Sequence, residues 1–235
     1  FLIASRAALI AALIESLSNT YSFKTLNTTI GGSLSTETNI ISANGNNGID
    51  LFQATNTIIQ GNKIGTNLNG VAALGNVYNG IYIESSYKNI IKYNQINITS
   101  GIYIFSNSYD NSLNSNNITL STKDGIKIEP DSNKPVNNTI IDNLIINSTE
   151  AGIRVLYGNN TLLSNEIYNN TVGIEADDAL NLNISSNIIA FNRQDGINLS
   201  SVNGSLIDNN NVSFNSRHGI YVISPSNGNN LTSNF

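Results

Sequence analysis

Charged side chains suited to polysaccharide chemistry recur in the middle of this 235-residue chain. Carboxylates beside a basic side chain can hold Ca²⁺ and present a base to a sugar C–H group, as a polysaccharide lyase requires. The same carboxylates suit the acid and base of a glycoside hydrolase. The alternative is a solvated ladder, in which opposite charges on neighbouring strands pair. The residues concerned are Lys127, Glu129, Arg154, Glu175 and Asp177.

A second set of side chains is suited to carbohydrate binding. Aromatic rings have an apolar face that can stack on a sugar, and charged groups beside them can bond sugar hydroxyls. The alternative is structural, because strand propensity favours aromatic residues on any sheet face. This ligand-binding set comprises Tyr82, Glu84, Tyr103, Phe105, Lys127 and Arg154.

A repeat positions both sets. A Gly-Ile-x-aliphatic step recurs at intervals of 21 to 32 residues, and it begins at Gly48, Gly80, Gly101, Gly125, Gly152, Gly173, Gly196 and Gly219. After each step an aliphatic residue is followed three positions later by asparagine, at Asn62, Asn94, Asn116, Asn143, Asn165, Asn187, Asn210 and Asn234. Two marks that recur in step predict one structural unit used eight times.

Each unit joins short apolar runs through Asn-Gly, Asp-Gly or Asn-Asn, which predicts strands and turns. A period of roughly 22 residues fits one turn of a solenoid. We therefore expect an all-β, single-stranded parallel β-helix of about eight coils or more. The isoleucine of each Gly-Ile step should point inward and the next residue outward, which places both sets on one exposed strip. The asparagines should form a buried structural ladder whose amides bond along the axis.

The two ends of the chain differ from the repeat. Apolar residues between Leu9 and Leu17 recur at helical spacing, which predicts an N-terminal capping α-helix within residues 1–20; the alternative is a remnant of a secretion signal. Residues 21–235 are predicted to form a single parallel β-helix domain. The chain stops at Phe235, partway through a coil. This favours either a fragment of a longer protein or self-association through an uncapped C-terminal end.

Composition excludes several classes of function. The net charge of −5 and the pI near 4.7 provide no basic surface for nucleic acid. The N-terminal apolar run is too short and too charged to cross a bilayer, so we expect no membrane insertion. Without cysteine the chain has neither disulfides nor thiolate metal sites. No cofactor is expected apart from the Ca²⁺ that the lyase interpretation would use.

Residues 27–83 resemble the repeat of secreted and surface-anchored right-handed parallel β-helix proteins of bacteria and archaea. The resemblance is carried by Ile30-Gly31-Gly32, by NIISANGNNGI and by GNKIGTNLNGVAALGN. From there to Phe235 the chain fits the generic parallel β-helix repeat. The resemblance implies a right-handed coil of the pectate-lyase-like type and an extracellular or cell-surface location. It does not imply one chemistry, because this fold carries both enzymes and adhesins.

A further pair of motifs is similar to those of polygalacturonase-type hydrolases. Asp177-Asp178 and Arg217-His218-Gly219 resemble the Asp-Asp and His-Gly motifs of those enzymes. The interval from Asp178 to His218 is 40 residues, nearly two coils, whereas the motifs of those enzymes lie about one coil apart. The other motifs of that class are not in register.

We interpret the sequence as a non-enzymatic extracellular or cell-surface module, structural or adhesin-like, that binds a surface polysaccharide or other glycan on its outward strand face. One alternative is a polysaccharide lyase or glycoside hydrolase. A second alternative is a self-assembling filament subunit. The non-enzymatic interpretation is favoured because no complete acid/base or metal set lies in register along the repeat.

Overall fold

The computed structural model describes residues 25–70, 74–97, 100–131 and 136–235. These residues form an all-β parallel solenoid of about eight coils, and each complete coil contributes three short strands. A single turn of 3-10 helix, Ser35–Glu37, lies in the first described coil. The capping helix predicted within residues 1–20 lies outside the described residues.

The described strands stack into three parallel sheets, numbered here in the order in which each coil visits them. Sheet 1 contains Thr29–Gly31, Ile58–Gln60, Ile90–Lys92, Ser112–Asn114, Thr139–Ile141, Thr161–Leu163, Asn183–Ser185, Leu206–Asp208 and Asn230–Thr232. Sheet 2 contains Ile40–Ile41, Lys63–Ile64, Gln95–Asn97, Asn117–Thr119, Leu144–Ile146, Glu166–Tyr168, Ile188–Ala190 and Asn211–Ser213. Sheet 3 contains Ile49–Phe52, Asn79–Glu84, Ser100–Phe105, Ile126–Glu129, Ala151–Val155, Val172–Asp177, Ile197–Ser200 and Ile220–Ile223.

Isoleucine columns fill the interior. In sheet 3, Ile126 pairs in register with Ile153, and Ile153 with Ile174; all three are fully buried. Parallel strands lie about 4.8 Å apart, so each side chain packs directly on its counterpart in the next coil. Burial of one such side chain contributes about 1.5–3 kcal/mol of transfer free energy. The inward alternation predicted from the Gly-Ile step is therefore confirmed.

The repeated glycine allows the chain to enter sheet 3 close to the neighbouring coil. A Cβ atom added to Gly152 would lie 2.5 Å from Cγ2 of Ile167 and 2.8 Å from the carbonyl oxygen of Gly173. Real Cβ atoms do not approach other atoms so closely, so a larger residue would push the coils apart. The glycine of the repeat is required by this close approach.

The corner between sheets 1 and 2 turns through one left-handed residue. Tyr93 has φ 56° and Ser115 has φ 52°, and each directly precedes a ladder asparagine. Left-handed backbone is uncommon for residues other than glycine, so the corner needs compensating bonds. Asn94 supplies one of them, because its Nδ2 donates to the carbonyl oxygen of Ile59 in the previous coil over 2.9 Å.

The predicted asparagine ladder is confirmed along this corner. The main-chain N–H and the Nδ2 of Asn94 both donate to Oδ1 of Asn116, over 3.1 and 3.0 Å. Each amide therefore accepts twice and donates twice, which uses its full capacity. The same pair of bonds links successive members along the axis, which are Asn62, Asn94, Asn116, Asn143, Asn165, Asn187, Asn210 and Asn234.

Two further ladders lie at the other corners and were not predicted. One, between sheets 3 and 1, contains Asn89, Asn111, Asn138 and Asn160. The other, between sheets 2 and 3, contains Asn170, Asn192 and Asn215. The first lies five residues before the predicted ladder in each of its four coils, a fixed offset that was available in the sequence.

Candidate functional site

The outward positions of sheet 3 form one continuous strip, called here the sheet 3 face. Tyr82 pairs in register with Tyr103, and Tyr103 with Lys127. Lys127 pairs in turn with Arg154, and Arg154 with Glu175. All five residues are partly exposed. The strip therefore brings the predicted charged and aromatic sets together along the solenoid axis.

A second outward row runs parallel to the first. Phe52 pairs with Glu84, Glu84 with Phe105, and Phe105 with Glu129. Further along the axis, Asp177 occupies the equivalent position at the end of its strand. Every residue of the ligand-binding set, and every residue of the charged set, thus lies on the sheet 3 face.

Three rings on this face form an aromatic cluster, defined by Tyr82, Tyr103 and Phe105. The centroids of Tyr82 and Tyr103 lie 5.4 Å apart with the rings inclined at 61°. Phe105 lies 5.6 Å from Tyr103 and 6.3 Å from Tyr82, nearly parallel to the latter. These separations are typical of favourable aromatic pairs, so the rings hold one another in place while remaining partly exposed.

A charged pair borders the aromatic cluster. The Tyr103 hydroxyl donates to Oε2 of Glu129, and Nζ of Lys127 lies 2.7 Å from the same oxygen. Lys127 also lies 5.3 Å from the centroid of the Tyr103 ring. Burial raises the pKa of Glu129, but the hydrogen bonds from Lys127 and Tyr103 outweigh it, and the net pKa is lowered. Glu129 is therefore held as a carboxylate.

The two tyrosines of the cluster remain protonated. Burial raises the pKa of Tyr82, and the neighbouring Glu84 raises it further. Burial likewise raises the pKa of Tyr103, together with the hydrogen bond to Glu129. Both side chains therefore act as neutral rings with a hydroxyl group at any pH near neutrality.

Arg154 lies among three carboxylates. Its Nε donates to both carboxylate oxygens of Asp124 at 3.0 Å, while Nη2 lies 3.3 Å from Glu150 and Nη1 lies 2.8 Å from Glu175. Asp124 is buried and also accepts the main-chain N–H of Ala151 over 2.9 Å. All three guanidinium nitrogens of Arg154 therefore contact carboxylates of the protein itself.

Burial and ion pairing shift the pKa values of this cluster in opposite directions. Burial raises the pKa of Asp124, although the charge of Arg154 pulls it down in part. Burial likewise raises the pKa of Glu175 more than Arg154 lowers it. Burial lowers the pKa of Arg154, but Asp124 and Glu175 outweigh this, so its pKa is raised and its charge is fixed.

A groove of about 430 Å³ extends from Arg154 toward the last coils of the sheet 3 face. It is open along one side and contains both charged groups and an aromatic ring. Its lining residues are Thr149, Glu150, Arg154, Thr171, Val172, Glu175, Gln194, Asp195, Asn198, Arg217, Tyr221 and Ile223.

Asp195 orients the single histidine at the far end of the groove. Its Oδ1 accepts the main-chain N–H of His218 over 3.1 Å and lies 2.7 Å from Nδ1 of the same residue. The imidazole stacks on Tyr221 with 4.7 Å between centroids.

Sequence reasoning missed Asp124 and Asp195 as neighbours of this face. Each forms an Asp-Gly pair with the repeated glycine, a signal that had been assigned to a turn.

The two hydrolase-like motifs do not meet. Asp177 ends the strand Val172–Asp177, whereas His218 precedes the strand Ile220–Ile223, so the two residues lie at opposite edges of sheet 3, one where its strands end and the other where they begin. Asp178 turns the corner with φ 51° and is exposed. The bonding partner of His218 is Asp195 rather than either residue of the Asp-Asp pair.

No group of three or more histidine, cysteine, aspartate or glutamate residues is arranged to hold a metal ion within the described ranges. The carboxylates around Arg154 converge on its guanidinium, so a Ca²⁺ ion bound among them would have to displace it. In the same described part of the chain, no helix has the length and apolar character needed to cross a membrane.

A comparison with protein families matches the family described as "Right handed beta helix region" over residues 5–142 and 111–235. The chain therefore belongs to the right-handed β-helix family, as the resemblance of its repeat had implied. A comparison with curated proteins gives no match.

Two solved structures show the same fold. The periplasmic alginate epimerase AlgG is 20% identical with a TM-score of 0.70; the match covers 80% of this chain and 47% of the epimerase. The Dettilon tailspike protein (gp208) is 14% identical with a TM-score of 0.61, over 97% of this chain and 58% of that protein. The chain thus spans about half the length of these relatives. At such identities the likeness establishes the fold alone.

Proposed function

We propose that this chain is a carbohydrate-binding β-helix module, extracellular or on a cell surface, whose sheet 3 face holds a glycan chain along the solenoid axis. The single observation that carries the proposal is the aromatic cluster: three mutually packed, partly exposed rings on a parallel sheet. Their apolar faces can cover a sugar ring without first having to be ordered, which lowers the entropic cost of binding.

Polar groups beside the cluster support this assignment. Glu84 and Glu129 flank the rings, and the Lys127–Glu129 pair is already fixed at 2.7 Å. Carboxylates accept hydrogen bonds from sugar hydroxyls, and such charge-assisted bonds are stronger than neutral ones. Stacking on the rings would place the sugar, and the carboxylates would orient it.

The regular spacing of the face suits a polymer. Successive outward residues recur at about 4.8 Å along the axis, from the aromatic cluster past Arg154 to Tyr221 at the end of the groove. A glycan lying on this strip would meet rings at both ends and polar groups between them. The alginate epimerase, which has the same fold, acts on a polysaccharide according to its name.

The test is a glycan array probed with the wild type and with the double variant Tyr82→Ala/Tyr103→Ala. The expected result is a loss of at least tenfold in binding. The matched control is Tyr87→Ala/Tyr109→Ala, which removes another stacked tyrosine pair, with centroids 4.8 Å apart, at the corner between sheets 3 and 1. Equal binding by the wild type and the face variant, or equal losses in both variants, would contradict the proposal.

A second candidate function is polysaccharide lysis or hydrolysis in the groove. It is favoured by Glu175, whose pKa is raised by burial and which lines the groove beside Arg154. Release of reducing sugars from the array's bound polysaccharides is the measurement. If sugars are released, and Glu175→Gln abolishes this release while glycan binding persists, the chain is an enzyme. If no bound polysaccharide is cleaved, the carbohydrate-binding module is the function that stands.

A further inference from the structure

The sheet 3 face carries an excess of carboxylates. Its outward cations in the described residues are Lys127 and Arg154. Its outward carboxylates are Asp50, Glu84, Glu129, Glu175 and Asp177. Buried Asp124 and the groove residues Glu150 and Asp195 add further negative charge beside this strip.

Both cations of the strip are engaged by protein carboxylates. Nζ of Lys127 lies 2.7 Å from Glu129. Arg154 is shared among Asp124, Glu150 and Glu175 at 2.8 to 3.3 Å. The charge of each cation is therefore already balanced by carboxylates of the protein, and an anionic sugar that bonded Lys127 or Arg154 would still lie beside those carboxylates.

The groove does not offset the excess of carboxylates on the sheet 3 face. Besides Arg154, the groove is lined by the cation Arg217. The Arg217 side chain is half exposed, and its Nε lies 3.7 Å from the buried Asp195. The same carboxylate already bonds His218. A chain that brought a negative charge on every sugar would therefore meet more carboxylates than cations along the whole strip, at separations over which like charges repel.

We propose that the glycan bound by this face is non-anionic: its sugars carry hydroxyl groups but neither carboxylates nor sulfates. Hydroxyl groups donate to the carboxylates that repel an acidic sugar, and uncharged ring faces stack on the aromatic cluster. This inference rests on the proposed function and assigns its ligand class. It also separates this chain from the structural relative whose printed substrate, alginate, is an acidic polysaccharide.

The experiment uses an array on which each uronate oligosaccharide is printed beside its methyl ester. The ester removes the charge and keeps the backbone of the sugar chain. The expected result is binding to neutral and esterified chains at least tenfold tighter than to the acidic forms. Added salt should narrow this ratio by weakening the repulsion, since screening acts on exposed charges.

Charge variants make the test specific to the face. Asp177→Asn should raise binding of acidic chains relative to neutral ones several-fold. Glu166→Gln, which removes one exposed carboxylate from sheet 2, changes the net charge equally and should leave the ratio unaltered. A ratio that rises equally in the two variants would mean that the protein's net charge, rather than this face, sets the preference; either that result or an unaltered ratio in Asp177→Asn would overturn the proposal.

The outcomes separate the two proposals. Acidic chains that bind as tightly as their esters, with binding still lost in Tyr82→Ala/Tyr103→Ala, would overturn the ligand class and leave the site in place. Binding of neutral chains that survives loss of both tyrosines would move the site away from the aromatic cluster. No binding to any glycan would overturn both.

Discussion

The side-chain nitrogen Nδ2 of Asn165 lies 3.0 Å from Oδ1 of Asn187, one coil further along the solenoid, and the main-chain N–H of Asn165 donates to the same oxygen over 2.8 Å. Both side chains are fully buried. One amide thus serves the corner of its own coil and the corner of the next. The ladder couples neighbouring coils, so loss of one member should be felt on both sides.

Replacement of Asn165 by Leu should destabilise the protein markedly. The main-chain N–H and Nδ2 of Asn143 would lose Oδ1 of residue 165 as an acceptor, and Oδ1 of Asn187 would lose the Nδ2 donor while keeping the main-chain N–H of residue 165. Each buried group left unsatisfied costs roughly 1–3 kcal/mol. Urea denaturation measures the free energy of unfolding, and Asn117→Leu, at an exposed position on sheet 2, is the control. Equal stability of the two variants would contradict the structural role of the ladder.

Gly152→Ala should also destabilise the protein, for a steric reason. The new methyl group would lie 2.5 Å from Ile167 and 2.8 Å from the backbone of Gly173, so two coils must separate. Overpacking of this kind costs about 1–3 kcal/mol. Gly45→Ala is the control, because an added Cβ there meets no atom within 4 Å. A melting temperature that falls equally in both would remove the steric explanation.

The repeat made these contacts predictable. The intervals between Gly152, Gly173 and Gly196 fix which residues stack, and the alternation of strands fixes which of them face outward. The ladder through Asn165 and the alignment of Tyr103 with Lys127 followed from this counting alone.

The contacts that the sequence did not predict depend mostly on features that do not repeat. The ladder through Asn89 ends where Leu182 occupies the equivalent position, so its period is incomplete. Arg154 reaches Asp124 in the previous coil through its choice of rotamer, which spacing does not determine. His218, by contrast, lies beside Asp195 because each residue directly precedes the repeated glycine of its coil, and this register was present in the sequence.

Arg154→Met should expose the cost of burying Asp124. Loss of one partner of a buried ion pair costs up to about 3–5 kcal/mol, and less here because one-fifth of the Arg154 side chain is exposed to solvent. The second variant, Arg154→Met/Asp124→Asn, removes both charges and should recover part of the lost stability. A double variant no more stable than the single one would contradict the assigned pair.

The stability that Arg154→Met loses relative to the wild type should depend on pH in a defined direction. The pKa of Asp124 is raised by burial above its ordinary value of 3.8, so the folded state binds its proton more tightly than the unfolded state does. Without Arg154 the penalty for the carboxylate is full above the folded-state pKa and disappears as pH falls below 3.8. The melting temperatures of the wild type and of Arg154→Met should therefore converge as the pH is lowered. A gap that widens in acid would contradict this sign.

Tyr103→Phe should separate the hydroxyl of the aromatic cluster from its ring. Glu129 loses one hydrogen-bond donor, so its lowered pKa should move toward 4.5. A carboxylate with a lowered pKa stabilises the fold above its unfolded-state pKa, and this stability is lost as pH falls. Carbon-detected NMR titration of Glu129 measures the shift. Glycan binding should persist in Tyr103→Phe and fall in Tyr103→Ala; the reverse order would exclude stacking as the basis of binding.

The most direct measurement is a crystal structure of the protein with the tightest-binding oligosaccharide from the array. We expect a sugar ring stacked on Tyr82 or Tyr103, hydroxyl groups bonded to the flanking carboxylates, and the sugar chain continuing along sheet 3 toward Arg154 and Tyr221. A sugar chain seated on sheet 1 or sheet 2, with the aromatic cluster empty, would contradict it.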